Sequence, residues 1–184
     1  MPFPRPKKKA YTENELYDYA VGALARRMRT VAELKRLLRQ RVEADTELGR
    51  TLVDLVIRRL KDQGYLNDSQ YAAAYSSFRR DNEKLGRRRV VTDLKVKGVH
   101  ADIIEKAVAS IYDNVNDEKQ AREYLRRKRL NKPRNQKEAT RIFRHLTRAG
   151  FASKTIFTIL KKWDVDDEVL TSLESETENT ETQT

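Results

Sequence analysis

The chain has 184 residues, 39 of them Lys or Arg against 28 Asp or Glu, for a formal net charge of +11. Counted with Gly and without Tyr, its apolar content is about 37%, below the ~45–50% of ordinary globular chains, which favours small units or thin layers over one thick core. The lack of cysteine excludes a disulfide framework, a Cys-based zinc site and a thiol nucleophile, and the longest apolar run, Tyr19 to Ala25, is far short of the ~20 residues that span a bilayer, so no membrane partner is expected.

In chain order, residues 1–11 read as a basic arm carrying Pro2, Pro4, Pro6, Lys7, Lys8 and Lys9. Polar Thr12, Glu13, Asn14 and Glu15 stand where a secretory signal would turn apolar, so a cytoplasmic location is expected. Thr12 with Glu15 spells a capping box, and Leu16, Tyr19, Ala20, Ala23 and Leu24 then follow the stripe of an amphipathic helix. Thr30 with Glu33 repeats the start signal before Leu34, Leu37 and Leu38. A third stripe, Val53, Val56, Ile57 and Leu60, stops at Gly64, because glycine accepts the positive φ of a helix end. These helices form a first unit, residues 12–66.

A second unit, residues 67–113, opens on Asn67 with Gln70, followed by Tyr71, Ala74, Tyr75 and Phe78 as the expected buried face. Its next helix begins with Arg87, Arg88 and Arg89 after Gly86 and ends at Lys97-Gly98-Val99. The third unit, residues 114–163, repeats that plan. Val90, Val91, Leu94, Gly98, Val99, Ile104, Ala107, Val108 and Ile111 match Ile142, Phe143, Leu146, Gly150, Phe151, Ile156, Ile159, Leu160 and Trp163 in spacing. In the first unit Leu37 and Val42 fit the same frame with Arg41 in the glycine place. No stretch alternates convincingly as a strand, so the fold expected is all-α, three tandem three-helix repeats.

Residues 164–184 hold eight of the acidic residues and no Lys or Arg, leaving 39 basic against 20 acidic residues before them, a net +19. A body this basic attracts a polyanion, most often nucleic acid. After Leu173 the tail is Ser, Thr, Glu, Asn and Gln, a composition that predicts an acidic, mostly disordered end.

No constellation for catalysis emerges. The glycines spell no phosphate-binding loop, His100 and His145 lack metal-ligand spacing, and Asp166 with Asp167 begins a tail with no scaffold around it. A binder without cofactor or metal is expected. Its contacts are sought in the basic clusters Arg87, Arg88 and Arg89 with Lys95 and Lys97; Arg126 and Arg127; and Arg141, Arg144 and Arg148, one stripe of a helix. The arginines at 87–89 oppose the dipole of the helix they open, a conflict that a bound phosphate or carboxylate would resolve. Aromatic residues are not interleaved with these clusters in the sequence, so no base-stacking platform is expected.

The run Gly64-Tyr65-Leu66-Asn67-Asp68 with Tyr71 and Ala72, then Gly86-Arg87-Arg88 and Lys97-Gly98-Val99, resembles the RecX family of bacterial recombination regulators. Ala25-Arg26-Arg27 and Ala32-Glu33-Leu34 before it, and Ala149-Gly150-Phe151 after it, extend the resemblance over most of residues 16–163. It implies a non-catalytic modulator of the RecA recombinase in homologous recombination, DNA repair and the SOS response, with an elongated, curved body; a monomer is expected. Such a protein lies in the groove of the RecA filament on single-stranded DNA and limits its ATPase, strand exchange and co-protease activities. Arg41 and a long connection from Glu43 to Leu52 depart from the family pattern. Tyr65 and Leu66 are expected to plug the core between the first two units. The alternative is a basic helical DNA-binding module acting without RecA.

Overall fold

The structure, a computed structural model, describes residues 11–43 and 46–181. Among them the chain forms ten helices and no strand: α1 (Glu13–Arg26), α2 (Val31–Arg39), α3 (Glu47–Asp62), α4 (Asp68–Asp81), α5 (Arg87–Val96), α6 (Ala101–Tyr112), α7 (Asp117–Arg127), α8 (Gln136–Arg148), α9 (Ser153–Lys161) and α10 (Asp167–Glu181). The expectation of an all-α fold holds. The arm up to residue 10, Ala44 and Asp45 in the long connection, and residues 182–184 lie outside the described residues.

The start signals form as their chemistry requires. Thr12 Oγ1 accepts from the Glu15 N–H while the Glu15 carboxylate accepts from the Thr12 N–H at 2.9 Å, and Thr30 with Glu33 does the same. Asn67 accepts from the N–H groups of Ser69 and Gln70, both at 3.0 Å. Five helix ends share one device. At Gly64, Gly98, Arg129, Gly150 and Asp164 the backbone turns to positive φ, and the next residue's N–H donates back five residues, as from Tyr65 to Leu60 (2.9 Å) and from Phe151 to Leu146 (3.2 Å). Arg41 is not in that conformation, and α2 ends in an ordinary turn after Gln40. There Leu38, not Leu37, is the fully buried residue.

The chain divides into two compact units: one runs to Ala74 and includes Leu94–Ile104, and the other comprises Tyr75–Asp93 and the chain from Glu105 onward. The core of the first joins Leu16, Ala20 and Ala23 of α1, Leu34 and Leu38 of α2, and Val53, Val56, Ile57 and Leu60 of α3, with Val42 and Leu66. Each large aliphatic side chain among them, fully buried, contributes about 1.5–3 kcal/mol. The N-terminus of α2 is held by three tertiary contacts: buried Thr30 donates to the Lys97 carbonyl at 2.7 Å, the Val31 N–H donates to Asp68 at 2.8 Å, and the Lys97 ammonium pairs with Glu33 at 3.1 Å. The Gly64–Asp68 run is therefore a joint in which Gly64 ends α3, Leu66 enters the core, Asn67 caps α4 and Asp68 caps α2. Tyr65 departs from expectation. It is 61% exposed, because the turn that buries Leu66 directs its neighbour outward.

The second unit packs α7, α8, α9 and α10 around Tyr124, Leu125, Ile142, Phe143, Leu146, Phe151, Ile156, Ile159 and Leu160. The acidic tail begins with an ordered helix. Asp167–Glu181 is helical, and Val169, Leu170 and Leu173 complete this core. Three apolar residues on one helical face suffice to dock it where a ready surface exists. The buried face of α4 also differs from the predicted stripe, with Ser76 fully buried and Phe78 54% exposed.

Candidate partner and nucleic-acid interface

Between α4 and α5 the second unit buries a charged network. Asp93, with its side chain only 13% exposed, accepts from Tyr75 Oη (3.0 Å), Arg79 (3.2 Å) and Arg89 Nε (2.9 Å), while Arg79 also pairs with Glu83. Burial pushes the Tyr75 phenol above its ordinary value. Arg89 is thus committed to holding α5, whereas Arg87 and Arg88 stand exposed on its first turn.

The conflict between these arginines and the helix dipole has a structural answer. The Gly86 N–H donates to the Ala149 carbonyl at 2.8 Å and the Arg88 N–H to the Gly150 carbonyl at 3.2 Å, so the positive end of α5 meets the negative end of α8. Two of the N–H groups at this helix start, those of Gly86 and Arg88, are thus taken by backbone. Gly86 and Gly150 allow the approach: a Cβ on either would collide with backbone of the other strand of the joint.

That joint brings two sequence-distant clusters together. Arg148, Arg144 and Arg141 run back along α8 from Gly150 and, with Lys137 and His145, line a concave surface of 780 Å³ on which Glu138 is the acidic residue. The start of α5, with Arg87 and Arg88, stands at the end of this stripe. Lys95 and Lys97 fall in the other unit. Lys95 is exposed, but Lys97 is bound to Glu33, its ammonium 5.8 Å from the Tyr71 ring, and works as a tie.

On α7, Arg126 and Arg127 are exposed in the last turn, as expected. Their surroundings were not legible in the sequence. Glu118 links α7 to α9 through Lys162 (2.8 Å) and pairs with Arg122 (3.0 Å), contacts that hold its carboxyl below the usual range, and Lys84 does the same for Glu123. The i,i+4 pairs Arg89/Asp93 and Glu118/Arg122 were signals available beforehand. The ends of α7 and α9, which meet around Trp163, gave none. Among the described residues no group of three or more His, Asp or Glu is placed to hold a metal ion, and no helix is long and apolar enough to cross a membrane.

Comparison with known proteins gives this geometry a family. Residues 67–108 match the second three-helix domain of RecX. The Myxococcus xanthus regulatory protein RecX is 32% identical over 171 residues, covering 86% of this chain and 87% of that protein. The Deinococcus radiodurans protein of the same name is 31% identical, covering 86% and 72%. Against the Bacillus pumilus relative, at 31% identity, the chain spans about half (54%) of the relative's length. The crystal structure of RecX from Lactobacillus salivarius shares the fold, with a TM-score of 0.62 and 24% identity over 83% of this chain and 96% of that one. A second RecX crystal structure agrees at a TM-score of 0.62 and 23% identity, covering 82% and 71%. Helices, joints and sequence together place this chain in the RecX family of regulatory proteins.

Proposed function

We propose that this protein is a non-catalytic regulator of homologous recombination that binds the RecA filament on single-stranded DNA and lowers its ATPase, strand-exchange and co-protease activities. The observation that carries the reading is the α8 surface, where Arg141, Arg144 and Arg148 share an exposed face with Lys137 and the start of α5 adds Arg87 and Arg88. Guanidinium forks suit both carboxylates and phosphates, the two anions a protein–DNA filament presents. Lys95, Arg126 and Arg127 extend the basic surface within their own units. The protein acts in the cytoplasm as a monomer and needs no cofactor.

The test is the single-stranded-DNA-dependent ATPase of the cognate RecA, titrated with the full chain beside its affinity for the same DNA without RecA. The expected result is loss of ATPase at concentrations where bare DNA is largely unbound. Inhibition that sets in only as the DNA itself becomes coated would contradict a filament regulator and favour a helical DNA-binding module acting alone. Salt separates the two further, since affinity resting on phosphate contacts falls steeply with ionic strength.

A further inference from the structure

Where α7 and α9 end, a groove of 510 Å³ is lined by Arg126, Arg129, Leu130, Lys132 and Trp163. Trp163 is the sole tryptophan of the chain, half-buried against the core and lining the groove. The cations around it differ in kind. Lys132 is tied to Asp164 at 2.8 Å on the rim. The side chains of Arg126 and Arg129 make no ion pair or hydrogen bond among the described residues, although both line the groove.

Arg129 is also conformationally conspicuous. It occupies the positive-φ position (54°) that closes α7, where Gly64, Gly98 and Gly150 close α3, α5 and α8. An L-residue is disfavoured in that backbone conformation; Asp164, which closes α9 in the same way, is paired with Lys132, whereas the Arg129 side chain has no ion-pair or hydrogen-bond partner among the described residues. An indole beside two guanidinium groups that form no hydrogen bond or ion pair is the composition that binds unpaired nucleotides, with bases on the ring and phosphates on the forks.

We propose that this groove holds a segment of single-stranded DNA, one base stacked on Trp163 and the flanking phosphates held by Arg126 and Arg129. It is a second contact, distinct from the α8 face, and it rests on the reading of the protein as a regulator working on DNA within a filament. The sequence concealed it because Trp163 lies more than thirty residues from the arginines that join it.

The sole tryptophan makes the test local. The full chain is titrated with oligothymidylate while indole fluorescence is followed, in parallel with an Arg129→Gly variant and with an abasic deoxyribose-phosphate oligomer of equal length. The expected results are a saturable quench, about tenfold weaker binding to Arg129→Gly with an unchanged or higher melting temperature, and no quench by the abasic chain. Oligothymidylate binding detected by anisotropy without any quench would overturn the proposal, as would equal affinity of the glycine variant. Tighter binding of oligouridylate would assign the groove to RNA and overturn it as well. Failure here is separable from failure of the RecA reading. An absent quench with ATPase inhibition intact removes the groove alone, whereas a quench without any effect on RecA supports the groove and removes the filament.

Discussion

The Ser76 hydroxyl is buried without a hydrogen-bond partner among the described residues, so it forfeits its water and gains nothing in return. Ser76→Ala is expected to raise stability by up to about 1 kcal/mol, read as an increase in melting temperature. Gly150 has a φ of +88°, and a Cβ there would press on the backbone of Arg89. Gly150→Ala should cost about 2 kcal/mol or more in chemical denaturation, well beyond an ordinary surface change. The glycine was legible in the sequence as a helix stop; the second reason for it, the close passage of α5, was not, because it depends on a residue some sixty positions away. Tyr65 marks the opposite failure. Its place beside buried Leu66 made it look like core, but adjacent residues at a turn face different ways.

Among the elements, α5 and α10 carry the largest differences from the sequence reading. Arginines at a helix start conflict with its dipole, and the sequence offers an external anion as the remedy; the structure supplies the end of α8 instead. In α10, Val169, Leu170 and Leu173, which precede the Ser, Thr and Glu stretch expected to be disordered, are each at most 8% exposed, in the core of the second unit. Average composition conceals a docking face made by three residues. Leu170→Ala is expected to cost about 2–4 kcal/mol, and truncation after Trp163 to lower the melting temperature clearly; a melting temperature unchanged by the truncation would contradict this packing. Ion pairs add a pH dependence. Lys162 and Arg122 lower the Glu118 pKa, and Lys132 lowers that of Asp164. A carboxylate with a lowered native pKa contributes stability above its ordinary value, 4.5 for Glu118, that is lost as pH falls through the native value. Melting temperature should therefore decline below about pH 4.5, and Glu118→Gln should flatten that decline.

For the molecule as a whole, the all-α plan and the repeated helix ends were readable because capping boxes and glycine stops are local codes. The basic clusters were readable too, as charges. Their grouping was not, since it takes the Gly86–Ala149 contact to set Arg87 and Arg88 beside the α8 stripe. Grouped in this way, the arginines form a basic surface along α8 and the start of α5. The most direct measurement is inhibition of RecA's single-stranded-DNA-dependent ATPase by an Arg141→Glu/Arg148→Glu variant compared with the unaltered chain, after melting curves have shown both folded. Both side chains are exposed, so stability should change little. If the α8 face docks on the filament, at least tenfold more variant is needed for half-inhibition. Equal potency of the two proteins would contradict that role for the face.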